Sequence, residues 1–169
     1  IEDINNTNNS VSQFTQIWFL PPDNINKTAK ALKTIMLEDS KLKSYEILII
    51  TQEMSSKEDD LTIFINSIEE KALDEGKNGL IILAGQMCSR GISLMKCGTT
   101  FLFHDSSNPD KLIQQILRGG TENDGKEIFF IVDFNPARFL IYSENLSIKA
   151  RELNPEEKIK YYCSNNLID

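Results

Sequence analysis

Gly79-Leu80-Ile81-Ile82-Leu83-Ala84-Gly85 is the stretch on which the fold turns. An unbroken apolar run lies between two glycines. It is too short for a helix and has no polar alternation, so it reads as a strand over 79–84 buried on both faces. Working outward, four more short segments are mostly apolar and read as strands: 15–20 (Thr-Gln-Ile-Trp-Phe-Leu, closed by Pro21-Pro22), 45–51, 99–103 and 128–134. Amphipathic stretches separate them. The first, capped by Asp23 or Asn24, carries Ile25, Ala29, Leu32, Ile35 and Met36 on one stripe. The second, capped by Asp59 or Asp60, carries Leu61, Phe64, Ile65, Ile68 and Ala72 and ends at Gly76. Asn108-Pro109-Asp110 opens the third. The Asn caps, the Pro fills the first turn where its missing N–H costs nothing, and the Asp faces the positive end of the dipole. Leu112, Ile113, Ile116 and Leu117 form its expected buried stripe, and Gly119-Gly120 stop it. Apolar strands alternating with amphipathic helices predict one α/β domain of about five parallel strands, with helices on both faces. Residues 1–12 read as a polar tail or linker stub. The domain is expected over 13–150, followed by a helical extension at 151–169 with helix near 155–163.

The chain has 169 residues, 40% of them apolar and 25% charged, with a net charge of −7. That balance argues against a stand-alone module held to nucleic acid by bulk charge, but leaves room for local phosphate contacts. No apolar run approaches the ~20 residues needed to span a bilayer, and the first ten residues do not read as a signal peptide. Three cysteines (Cys88, Cys97, Cys163) and one histidine (His104) lack the spacing of an ordinary zinc site. The cysteines read as reduced thiols in a reducing compartment.

In parallel sheets, ligands gather beyond the carboxyl ends of the strands. Two polar segments stand out. Residues 85–94 (Gly-Gln-Met-Cys-Ser-Arg-Gly-Ile-Ser-Leu) follow the central strand. Gly85 and Gly91 permit close backbone approach to a ligand, and Arg90 can pair with phosphate or carboxylate. It reads equally as an ordinary connection with Arg90 in a salt bridge. Residues 114–121 (Gln-Gln-Ile-Leu-Arg-Gly-Gly-Thr) close the third helix. Gln114 and Arg118, four apart, share a face. A glutamine that orients water beside an arginine that neutralises charge suits phosphoryl transfer, while a solvated helix end is the plainer reading. Residues 120–127 come within one residue of a phosphate loop, but Glu127 stands where the magnesium-binding hydroxyl belongs. That stretch reads as a surface turn. His104-Asp105 reads as structural or ligand-lining, and Glu69-Glu70 as a solvated helix face.

The order of these motifs resembles the second RecA-like domain of superfamily 2 helicases over about 15–138. Residues 15–21 resemble that family's motif IV. Ala84–Ser93 (Ala-Gly-x-x-x-x-Arg-Gly-Ile-Ser) resembles motif V, and 114–121 (Gln-x-x-x-Arg) resembles motif VI. The wording is most similar to helicase-like proteins of large DNA viruses. The resemblance implies a C-terminal motor domain, active in ATP hydrolysis only with an N-terminal RecA-like domain of the same polypeptide. It implies catalytic roles for Arg118 (arginine finger) and Gln114, nucleotide contacts from Arg90, Gly91, Ser93 and Gln115, and nucleic-acid contacts from Pro21, Thr51, Gly85 and Gln86. The cofactor implied is ATP with magnesium held mainly by the first domain. The partners implied are DNA or RNA and that first domain, with no membrane. The location implied is intracellular, in a cytoplasm or packaged in a virion. The chain departs from the family at Gly85 (usually Thr), Ser93 (Asp), Leu117 (Gly) and Thr121 (Arg), so Arg118 alone matches the finger, with Arg138 a second cation at the next strand end. These departures equally suit a degenerate, non-catalytic RecA-like interaction module.

Overall fold

The computed structural model describes residues 14–50, 58–85, 94–105, 108–121, 126, 128–135, 138, 154 and 157. Five strands, β1 (Thr15–Phe19), β2 (Glu46–Ile50), β3 (Leu80–Ala84), β4 (Cys97–Leu102) and β5 (Phe130–Asp133), form one sheet in the order β2-β3-β1-β4-β5. Every pairing is parallel. This is the α/β parallel sheet that the apolar runs predict. β1 lies at the centre, with Ile17 opposite both Ile82 and Thr100. β1 and β3 are buried along their whole length, β3 as its unbroken apolar run requires and β1 with the polar Thr15 and Gln16 also inside.

Side-chain alternation assigns the two faces. On one, Trp18, Ile47, Ile81, Leu83 and Phe101 pack against α1 (Ile25–Glu38) through its buried Ala29 and Met36. Ile25 and Leu32 are half-buried there, whereas Ile35 is 63% exposed, so the predicted stripe is one residue too wide. Asn24 precedes α1 in the left-handed region at φ 53°, and its side chain makes no cap bond. Its carbonyl instead accepts from the N–H groups of Lys27 and Thr28 at 2.8 and 3.0 Å. An Asn tolerates that backbone where a branched residue does not.

The opposite face carries α2 (Glu58–Asp74) and α3 (Pro109–Gly119). α2 buries Leu61, Ile65 and Ala72. It ends at Gly76, φ 69°, with Lys77 N–H donating to Ala72 C=O at 2.9 Å and Gly76 N–H to Leu73 C=O at 3.0 Å. That double bond closes the helix and requires a left-handed residue. α3 starts as predicted: Asn108 Oδ1 accepts from Lys111 N–H at 3.1 Å, with Pro109 in the first turn. Its buried stripe differs from the prediction. Leu112, Gln115 and Gly119 are buried, while Ile113 and Leu117 are 47% and 58% exposed.

Two compact units divide the chain, Ile1–Phe134 and Asn135–Asp169. In the second, Asn154 Oδ1 accepts from Glu157 N–H at 3.0 Å while Glu157 Oε2 accepts from Asn154 N–H at 3.1 Å. That reciprocal pair is the signature of a helix start. The polar tail at 1–12 and most of 155–163 lie outside the described residues.

Gly79 tests the packing at the amino end of β3. Its carbonyl accepts from Glu46 N–H at 2.9 Å, and the next N–H, that of Leu80, donates to Phe14 C=O at 3.0 Å. A methyl group on Gly79 meets that same Phe14 oxygen at 2.7 Å and the Tyr45 ring at 2.9 Å. Backbone tied into two strands cannot yield cheaply. Gly79→Ala is expected to lower stability by about 2 kcal/mol, read as a shifted urea midpoint with unchanged slope.

Candidate functional site

Pro21 and Gly85 follow the carboxyl ends of neighbouring strands, β1 and β3. Leu20 N–H, just ahead of Pro21, donates to Ala84 C=O at 2.9 Å, so the two exits are tied together. Gly85 sits against α1, where an added Cβ would lie 2.5 Å from the flexible Ile25 tip. Pro21 lines an apolar groove of about 560 Å³ with Trp18, Leu32, Ile35, Phe103 and Lys27. The groove floor continues into a row of aromatic rings. Phe103 stacks on Phe134 at 4.5 Å and 16°, and Trp18 lies 5.0 Å from Phe101.

α3 carries the other candidate residues. It leaves the carboxyl end of β4 and returns to the amino end of β5. Gln115, in its middle, meets His104 beyond β4, and Gly119, at its end, meets Thr100 within β4. The helix therefore runs against the strands, and its 11 residues cover about 16 Å at 1.5 Å each. Gln114 is exposed and Arg118 half-buried in the last turn. Arg118 is carried away from the strand exits that hold Pro21 and Gly85. A pure carboxyl-rim reading misses this, because a helix between parallel strands must travel the length of the sheet. Thr121 Oγ1 donates to Arg118 C=O at 3.4 Å, and Lys126 Nζ donates to Thr121 C=O at 2.6 Å. Lys126 is thus folded back on the backbone, while residues 122–125 and 127 of the expected surface turn lie outside the described residues. Burial lowers its pKa, offset by the nearby Cys97.

Thr51, Gln86, Arg90, Gly91 and Ser93 lie outside the described residues. Gln115 faces the core with 1% exposure. Its Oε1 lies 2.8 Å from Nε2 of the equally buried His104. The structural reading of His104 is therefore met by a partner 11 residues on, one that no local pattern could name.

Glu69 corrects the sequence reading most sharply. Expected on a solvated face, it is 2% exposed. It accepts from the Thr15 hydroxyl and pairs with Lys96 at 3.7 Å. Thr15 N–H also donates to Lys96 C=O at 2.8 Å, so the three residues knit the amino ends of β1 and β4 to α2. Cys97, beside them, is fully buried and its thiol is pushed up to about 12 by burial, which makes it inert. Burial raises the Glu69 pKa above its ordinary 4.5, opposed by Thr15 and Lys96. The folded state then holds a proton that the unfolded state releases. Stability from this group is present below pH 4.5 and is lost as pH rises through the folded value. Glu69→Gln, which keeps an acceptor for Thr15, is expected to flatten this fall. Urea unfolding from acid to neutral pH reads the slope.

Among the described residues, no three His, Cys, Asp or Glu side chains cluster closely enough for a metal ion. None of the described helices is long and apolar enough to cross a membrane. No family model and no curated protein matches the chain. A solved structure, the C-terminal part of the Fun30 ATPase domain, matches at 15% identity with a TM-score of 0.49. The match covers 88% of this chain and 46% of that one, so the chain spans less than half of that neighbour's length.

Proposed function

We propose that this chain is the second RecA-like domain of a superfamily 2 helicase or translocase, inactive without a first RecA-like domain. The observation that carries this reading is α3. It follows the fourth strand of an all-parallel five-stranded sheet and presents an exposed Gln114 with Arg118 one turn further on. An amide and a guanidinium on one helix fit an anionic, oxygen-rich ligand such as the γ-phosphate of ATP. In this reading Gln114 orients the attacking water, and Arg118 neutralises charge developing on the transferred group. Arg90, Gly91 and Ser93 touch the nucleotide. Magnesium, held mainly by the first domain, would offset the negative charge of the phosphates. Pro21, Thr51, Gly85 and Gln86 line the nucleic-acid track. Motif wording supports a relationship to helicase-like proteins of large DNA viruses, acting in a reducing, intracellular setting.

The second reading, a non-catalytic interaction module, draws on the exposed Ile113 and Leu117 of α3. ATP turnover decides between them. The polypeptide joining this domain to a first domain that carries a phosphate loop is expected to hydrolyse ATP when nucleic acid is added. This domain alone is expected to bind ATP weakly and hydrolyse none. Absence of turnover in the joined protein would favour the module.

A further inference from the structure

α3 buries the less apolar of its two possible faces. Leu112, Ile113, Ile116 and Leu117 form a continuous stripe. At about 100° per residue, that stripe is centred roughly 80° of helix roll from the face that meets the sheet. The face actually turned inward holds Leu112, Gln115, Ile116 and Gly119. Hydrophobic burial alone favours the rolled alternative, in which Ile113 goes inside. Two features oppose the roll. Gln115 Oε1 lies 2.8 Å from His104 Nε2, with both residues almost fully buried. Turning Gln115 out strands a buried ring nitrogen, which is costly. Gly119 lies so close to β4 that a Cβ would sit 2.8 Å from Thr100 Oγ1, and no larger neighbour can take its place.

We propose that the His104–Gln115 hydrogen bond is a clasp that sets the roll of α3, holding Arg118 on the helix flank, Gln114 outward and Ile113 at the surface. With Oε1 as acceptor, Nε2 carries the hydrogen. Both members are positioning residues: neither reaches the surface that Gln114 and Arg118 offer. The catalytic consequence rests on the function proposed above, whereas the roll itself does not.

The test uses the full-length protein carrying Ile113→Cys, with maleimide labelling at position 113 followed by peptide mass analysis. Gln115→Leu is expected to slow labelling there by about tenfold, because the roll shifts toward burial of 113. The exchange pair His104→Gln with Gln115→His is expected to restore it. Circular dichroism establishes that each variant folds. Unchanged labelling in a folded Gln115→Leu variant overturns the clasp. Should that variant not fold, His104→Leu is read in the same way, and failure of both to fold makes the pair a fold determinant and overturns the roll. Turnover supplies the second readout: Gln115→Leu, without the added cysteine, is expected to lower kcat about tenfold with little change in KM for ATP. Slowed labelling with an unchanged kcat overturns the link to Arg118. A wild type that does not hydrolyse ATP overturns the motor reading alone, and labelling still judges the clasp.

Discussion

If Arg118 acts as proposed, its replacement by alanine is expected to lower nucleic-acid-stimulated ATP turnover of the full-length protein by about 10³-fold, the lower range for removing an arginine finger. The expectation follows from what surrounds it. Thr121 occupies the position where the helicase motif that the sequence resembles has a second arginine, and its hydroxyl is turned back onto the Arg118 carbonyl. Lys126, the next cation along the chain, is engaged with the Thr121 carbonyl. Neither is arranged to take over the role proposed for the Arg118 guanidinium. Arg118→Lys is expected to recover little, since an ammonium cannot reproduce a planar, two-pronged contact. KM for ATP should change far less than kcat, because the contact matures as charge develops. Near-normal kcat in Arg118→Ala would remove the residue from the mechanism.

Trp18→Ala is expected to cost about 3–5 kcal/mol, the range for deleting a buried large aromatic side chain. Trp18 is buried at the centre of the sheet, with Leu83 and Phe101 as flanking partners in register. Its ring lies 5.0 Å from that of Phe101 and 5.2 Å from that of Phe103. Its indole N–H donates to Gln16 Oε1 at 3.3 Å, so removal also strips a buried acceptor of its donor. Phe134 offers the control. It stacks at 4.5 Å on Phe103 yet remains exposed, so Phe134→Ala is expected to cost under about 1 kcal/mol. Guanidinium unfolding of both variants gives the comparison, and equal losses would mean that the aromatic row is not graded by burial.

The strands were legible because a sheet covered on both faces leaves its residues no polar side. The start of α3 was legible because Asn108 and Pro109 act locally, within one turn. What stayed hidden depends on distant partners. Glu69 looks like any charged residue on a helix until Thr15, 54 positions earlier, arrives beside it. Gln115 looks like a surface amide, and the apolar stripe beside it invites a different roll, until His104 supplies a partner. Ile35 fits the periodic pattern of α1 but lies beyond the width of sheet that the helix covers. At the candidate site the residue types of α3 were readable, whereas the direction in which the helix carries Arg118 required the strand order.

The placement of β1 has a consequence for biosynthesis. Of these five strands it is the first made, and both of its neighbours, β3 and β4, are encoded far downstream. At ordinary ribosomal speeds, on the order of ten seconds separate its appearance from that of β4. Until β3 follows, which takes most of that interval, Ile17, Trp18 and Phe19 have no lateral partner. The nascent chain therefore presents a sticky, aromatic segment early, and newly made protein should depend on holdase chaperones more than its final acidic surface suggests.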